Sequence, residues 1–396
     1  MIRALYKNKK YYLYAGSIII ARGLEYVVLL FSAYYLSKDV YGQLEFYKKI
    51  IELLAVGAAF GFPSLLLTYT KSNDSKVYFS TLSIGFILFL GLISAPILWL
   101  VDYQFLFIPL IFHSIFFNNG VLPVFCLTFY GSKMASYYKA IISIFFYLGV
   151  FLLVIFSSSP EKAFITVNYY LLAVGVIFLS ILNKRINYEF NVLRRYYKLF
   201  IRLLTSSLSL VLSNFVNIMF LYTDILILKL ISNSANSDIA NYSFALNIAN
   251  MLILIPFTFV QVDIESIKRY KGLKLKVKRI FKLVLLLASF LVIIYYGLIS
   301  VFFQDFSETM LLFIVILSSK IIQANTVFYG ALVLIEKMFK MNLAINISIL
   351  LLNIFLSYYL FQNYGLNGVA IASLISLATR FVLLSRLTKR SNYESK

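Results

Sequence analysis

The chain is a succession of long apolar runs joined by short polar connections. Twelve runs reach the roughly 20 residues that a helix needs to cross about 30 Å of hydrocarbon. They are 11–36, 42–69, 79–100, 103–129, 136–157, 163–183, 203–230, 239–262, 281–302, 308–335, 341–362 and 365–386. The second is the most polar, because Glu45, Lys48, Lys49 and Glu52 interrupt its first half. The pattern predicts an all-α integral membrane protein with 12 transmembrane helices.

The polar residues inside these runs recur at helical spacing, so they fall on shared faces. In the first, Arg22, Glu25, Leu29 and Ser32 follow one face. In the second, Glu45–Lys49 and Lys48–Glu52 are i, i+4 pairs. The seventh carries Ser206, Ser213, Asn217 and Asp224 along one stripe. The eighth has Ser243, Asn247 and Asn250, the tenth Ser319, Lys320, Gln323 and Thr326, and the eleventh Asn346 and Asn353. A charge at the centre of a bilayer costs roughly 2.5–3.5 kcal/mol. Arg22, Lys48, Lys49, Lys320 and Arg380 therefore need a wet cavity or acidic partners. Arg380 lies near a span end, where its side chain can snorkel to the interface.

Composition agrees with the pattern. Of 396 residues, 61% are hydrophobic and 13% charged, with a mean hydropathy of +0.88, against roughly 45–50% and 25% in soluble domains. That excludes a soluble enzyme, a disordered chain and a disulfide scaffold. One cysteine, Cys126, and one histidine, His113, leave neither a disulfide nor a Cys/His metal site. His113, among apolar residues, is expected to be a satisfied core histidine. No GxxxxGK[ST] phosphate loop and no nucleophile–base set occur, and neither side offers room for a glycosyltransferase domain, so no enzyme and no resident cofactor is expected. The basic N-terminus lacks a small-residue cleavage site and reads as leading into a retained first span.

The net charge of +20 first suggests a nucleic-acid partner, but its placement gives another meaning. Of the 36 Lys and Arg, 28 lie in the N-terminus, the connections from even to odd spans and the C-terminus. The odd-to-even connections carry Asp102, Glu161, Asp238, Asp305 and Glu308 instead. This is the positive-inside distribution, and it places both termini in the cytoplasm. The charge thus answers to topology and anionic membrane lipid rather than nucleic acid. Lys184–Arg202 and Lys268–Lys282 are expected to be cytoplasmic surface helices.

Short internal echoes suggest two halves. Tyr41 after the first span matches Tyr242 after the seventh, and Lys133-Met134 matches Lys337-Met338. Phe129-Tyr130-Gly131 similarly echoes Phe328-Tyr329-Gly330. Six spans per half is an even number, so the halves are parallel repeats. The expected domains are a six-helix lobe at 1–183, a basic cytoplasmic linker at 184–202 and a second six-helix lobe at 203–396, around a central cavity. Pro63, Pro109, Pro123 and Pro256 are expected to bend their spans. Gly57 and Gly61 would admit a close helix neighbour, and Gly365 would allow packing or hinging.

Several segments resemble one transporter family. Tyr364-Gly365-Leu366-Asn367-Gly368-Val369-Ala370-Ile371-Ala372-Ser373 looks like the segment opening the twelfth helix of polysaccharide flippases. Leu36-Ser37-Lys38-Asp39-Val40-Tyr41-Gly42 is similar to their first periplasmic turn, and Ile239-Ala240-Asn241-Tyr242-Ser243-Phe244-Ala245 to the start of their eighth helix. Glu336-Lys337-Met338-Phe339-Lys340 resembles the turn before their eleventh. The resemblance covers essentially the whole chain. It is to the O-antigen and capsule repeat-unit flippases of the multidrug/oligosaccharidyl-lipid/polysaccharide exporter superfamily.

It implies a bacterial inner-membrane flippase that moves undecaprenyl-diphosphate-linked oligosaccharide units from the cytoplasmic to the periplasmic leaflet. It also implies a cavity lined by helices 1, 2, 7 and 8, with polysaccharide polymerase and chain-length machinery as partners. The expected diphosphate and sugar ligands are Arg22, Lys48, Lys49, Lys320, Asn217, Asn247, Asn250 and Gln323. Glu25, Glu52 and Asp224 are the expected charge-pairing or ion-coupling residues, with H⁺ or Na⁺ as coupling ion. The alternatives are a cation-coupled multidrug exporter of the same fold and a non-transporting scaffold of a polysaccharide assembly complex.

Overall fold

A computed structural model describes residues 9–70, 72–118, 120–183, 190–206, 208–254, 256, 273–336 and 338–394. The repeat anchor Lys337, residues 184–189 of the linker, the end of the eighth span and residues 257–272 lie outside the described residues. The described residues are almost entirely helical and contain no strand. This is what lipid demands, since a helix satisfies its own backbone hydrogen bonds.

Helix α1 spans Lys9–Tyr35, α2 Lys38–Ala59, α3 Phe62–Tyr69 and α4 Asn73–Leu100. Then follow α5 Phe107–Ile115, α6 Val121–Phe125, α7 Ser132–Phe156, α8 Ala163–Asn183 and α9 Phe190–Ser206. The remainder is α10 Leu208–Ile231, α11 Ala235–Asn250, α12 Leu273–Val301, α13 Met310–Ile335 and α14 Phe339–Glu394. Six segments, including α4, α7 and most of α13 and α14, are long and apolar enough to span a membrane by length and composition alone. Their outward residues, such as Phe89, Leu92, Ile97 and Trp99 on α4, are large, apolar and exposed, as a lipid-facing surface requires.

Three expected spans are not single helices. The second breaks between α2 and α3, where Phe60 and Gly61 both take left-handed φ values of 45° and 69°. Gly61 is also crowded: a Cβ there would lie 2.7 Å from Val211. The fourth breaks between α5 and α6, and α6 continues into a π-helical turn, Cys126–Tyr130. The seventh, α10, bends by 57° between Val211–Asn217 and Tyr222–Ile231. The prolines account for the first two in a way the sequence pattern did not suggest. Pro63, Pro109 and Pro123 sit in the first turns of α3, α5 and α6. There the missing N–H has no helical partner to lose. They begin new helices rather than bend old ones.

The last two spans show the opposite effect. They run as one helical segment, α14, except at Gly365 (φ 55°, ψ −135°). Asn353 and Ser373, 20 residues apart, come within hydrogen-bonding distance at 3.4 Å. A straight helix would separate them by about 30 Å, so the chain reverses at Gly365. Three residues on, a Cβ at Gly368 would collide with the Leu360 carbonyl oxygen.

The described residues form two compact units. One comprises the described parts of Met1–Ser32 and Tyr47–Val211, the other those of Ala33–Phe46 and Leu212–Lys396. In the first, α4 packs on α5 and α9, α5 and α7 pack on α8, and α3 packs on α6. Phe112, Phe117, Phe146 and Phe164 form its aromatic centre. In the second, α13 is central and packs against α11, α12 and α14. The Tyr295 and Phe313 rings stack at 3.8 Å there, and Phe244 stacks on Phe306 at 4.3 Å. Residues 33–46 group with the second unit because Gly42 lies directly against Asn236; a Cβ at Gly42 would overlap that carbonyl.

Candidate functional site

Ionisable and polar side chains gather at separate places in each unit. In the first unit, α1 and α2 bring their charged faces together. The Arg22 Nη1 donates to Glu25 Oε2 at 2.7 Å, and Lys48 Nζ reaches Glu25 Oε1 at 2.7 Å. Lys48 also lies 3.6 Å from Glu52 Oε1. Lys49 is buried beside them on α2. Two carboxylates thus meet Arg22 and Lys48 directly, with Lys49 a neighbour on the same helix. The accessibilities assign different tasks. The Lys48 side chain is 4% exposed and held between two acids, whereas the Arg22 side chain is 46% exposed. Arg22 is the group of this cluster that a ligand can reach.

Against Lys48 and Glu52 lies a cavity of about 10 Å³, lined also by Ile51, His113, Phe117, Phe146, Tyr147 and Phe164. His113 is buried as expected, with the Phe117 ring 4.6 Å from its own. It is not satisfied, however: its Nε2 has no hydrogen-bond partner among the described residues. The rings that bury it leave no acceptor or donor at that atom.

The second unit holds two buried acids among neutral donors. Asp224 on α10 accepts from Tyr242 Oη, from Asn353 Nδ2 at 3.1 Å, and from Ser373 Oγ at 2.7 and 2.8 Å. These partners come from α11 and from both arms of α14. No cation lies within ion-pair distance of Asp224 among the described residues. Glu45 accepts on one oxygen from Tyr41 at 3.2 Å and from Asn247 Nδ2 at 2.7 Å. Its other oxygen has no partner among the described residues. Both carboxylates are thus held by neutral O–H and N–H donors, which stabilise a buried negative charge without an ion pair.

The remaining candidates separate. Lys320 is buried and donates to Gln323 Oε1 at 3.1 Å. Asn217 lines a narrow gap with Phe220, Asn346, Ile349 and Arg380. Arg380 is half-buried there, and its Nε has no hydrogen-bond partner among the described residues. Asn342 and Asn346 both donate to Ser213 Oγ, joining α14 to α10. Asn247 holds Glu45 rather than standing free for a sugar, and Asn250 is half-buried at the end of α11.

The sequence did not single out Tyr41, Glu45, Tyr242, Asn353 and Ser373 as site residues, yet they build the two neutral cages. The signal was present in the repeat. Tyr41 and Tyr242, matched by position in the two halves, are each 1% exposed, and each gives its phenol to a buried carboxylate.

No family model and no curated protein matches the chain. Among solved structures it is similar to the inward-facing conformation of a multidrug resistance MATE family transporter of the MOP superfamily. That pair has a TM-score of 0.60 at 11% identity, covering 98% of this chain and 96% of the other. It is also similar to a MOP superfamily transporter from Pyrococcus furiosus, described as having a binding pocket of reverse polarity (TM-score 0.58, 12% identity, 97% and 95% covered). A third is the lipid II flippase MurJ in an inward closed conformation (TM-score 0.50, 16% identity, 95% and 87% covered). The shared feature at these identities is the fold. The chain is therefore an all-α, multi-pass membrane protein with the architecture of these transporters, as the apolar pattern predicts.

Proposed function

We propose that the protein is a flippase of this superfamily, acting on undecaprenyl-diphosphate-linked oligosaccharide units in the bacterial inner membrane by alternating access. The observation that carries this reading is the membrane-embedded Arg22–Glu25–Lys48–Glu52 cluster with Lys49. Its cations suit an anionic head group, and the two carboxylates keep the attraction weak enough for release. Arg22, the most exposed member, would contact the diphosphate by charge-assisted hydrogen bonds. Lys48 would hold the cluster's geometry. Lys320, Gln323, Asn217 and Asn250 would bind phosphate or sugar hydroxyls. Asp224, caged by Tyr242, Asn353 and Ser373, would take H⁺ or Na⁺ and couple transport to the gradient. A polysaccharide polymerase would receive the product.

The test is translocation of a fluorescent undecaprenyl-diphosphate oligosaccharide in proteoliposomes, read by quenching with a membrane-impermeant reagent. Replacing one charge-assisted contact costs about 1.5–3 kcal/mol, so Arg22→Gln should slow translocation by about tenfold or more with membrane insertion unchanged. An unaltered rate refutes the reading. Two acids without ion pairs, Glu45 and Asp224, favour a second reading, export of cationic drugs. Ethidium efflux from the same vesicles without lipid-linked sugar flipping would establish that one instead. A scaffold would transport neither.

A further inference from the structure

Helix α9 contributes no residue to the clusters described so far. Its 17 residues contain Arg194, Arg195, Lys198 and Arg202 and no acid. All four cations are exposed, and none takes an ion pair or hydrogen bond among the described residues. On a 3.6-residue helix they fall within about a third of the circumference. The opposite face is fastened to the rest of the unit. Tyr196 stacks on Tyr78 at 5.2 Å, and Phe200 packs among Phe62, Phe79 and Phe86.

Between the two faces lie apolar shoulders. Leu199 on one side, and Tyr197 with Ile201 on the other, are 39–53% exposed. A water-facing helix gains nothing from exposed leucine and isoleucine beside four unpaired cations. A helix lying along a bilayer surface uses both: the shoulders enter the acyl boundary and the cations meet phosphates. The docking partner fixes its level. Tyr78 and Phe79 are in the second turn of α4, close to the end that the charge distribution assigns to the cytoplasm.

We propose that α9 is a docking surface for anionic phospholipid head groups of the cytoplasmic leaflet, tying the first unit to lipid charge. The lipid's phosphodiester supplies the acceptors that no side chain of the described residues provides. This does not depend on what the protein transports.

The test uses the full chain in nanodiscs of phosphatidylcholine alone or mixed with phosphatidylglycerol, with amide hydrogen exchange read over 190–206. Basic residues are drawn to an anionic surface, so exchange should slow by about threefold or more in the anionic discs. Salt near 0.5 M should remove the difference, because the screening length falls to about 4 Å. R194Q/R195Q/K198Q/R202Q should also remove it while exchange over 132–156 stays unchanged. The double variant R194Q/R195Q, should the quadruple one fold poorly, is expected to halve it. Undecaprenyl diphosphate added to neutral discs at matched charge should slow α9 exchange no more than phosphatidylglycerol does. Equal exchange in the two lipids, a difference that survives salt, or slowing by undecaprenyl diphosphate alone overturns the proposal.

Discussion

At the scale of residues, the ionic cluster and the neutral cages respond to substitution in opposite ways. Lys48 is almost fully enclosed between Glu25 and Glu52. Lys48→Ala leaves Glu25 with Arg22 alone and takes the ion pair from Glu52, and breaking a buried pair from one side costs up to about 3–5 kcal/mol. A lowered melting temperature in detergent is expected, partly restored when Glu52→Gln is added. Arg22, half-exposed, should show the reverse pattern, with transport lost and melting nearly unchanged. Asp224 differs again, because its partners are neutral donors. Asp224→Asn keeps an acceptor for Tyr242 and Ser373, so the fold should persist. Transport should become indifferent to an imposed Na⁺ or pH gradient; retained gradient dependence would remove Asp224 from the coupling role.

At the scale of elements, two glycines do different work within four residues. Gly365 supplies a backbone conformation, while its surroundings are open. Gly365→Ala would place a side chain in a sparsely populated region at a cost of about 1–3 kcal/mol. Gly368 has room for no side chain, because the returning helix brings the Leu360 carbonyl against it. Gly368→Ala must push the two arms of α14 apart, which also disturbs Asn353 and Ser373 around Asp224. Both variants should melt lower than the parent, and Gly368→Ala alone should weaken Na⁺- or proton-dependent protection of the α10 amides. Equal behaviour of the two in that exchange measurement would contradict the division. The element scale is also where the pattern reading was weakest. Apolar runs do not reveal breaks, so spans two and four read as continuous although Phe60–Gly61 and residues 116–118 interrupt them. The prolines at 63, 109 and 123 were the available signal, read as bends instead of helix starts.

At the scale of the whole molecule, the sidedness of the charge makes a direct prediction. Cys126 is buried, so introduced cysteines can be followed in its presence. Ser159→Cys, in the connection before α8, should react with an impermeant maleimide on intact cells. Ser72→Cys, at the start of α4, should react only after permeabilisation. The reverse result would invert the topology derived from the 28 basic residues at the cytoplasmic ends.

What the sequence determined by itself is what local chemistry decides. Hydropathy gives the spans, because each helix satisfies its own backbone in lipid whatever its neighbours are. Charge asymmetry gives their sides, and the 3.6-residue period shows which residues share a face. That was enough to place Arg22 with Glu25 and Lys48 with Glu52. The tertiary structure decided which partner each polar face meets. Asn247 reads as a free ligand residue until packing sets it on Glu45, 202 residues away in sequence. Asp224 becomes a caged carboxylate only when the reversal at Gly365 brings Asn353 and Ser373 to it. A hydrogen bond forms over about 3 Å, and the residues that meet at that distance here are separated by 129 and 149 positions.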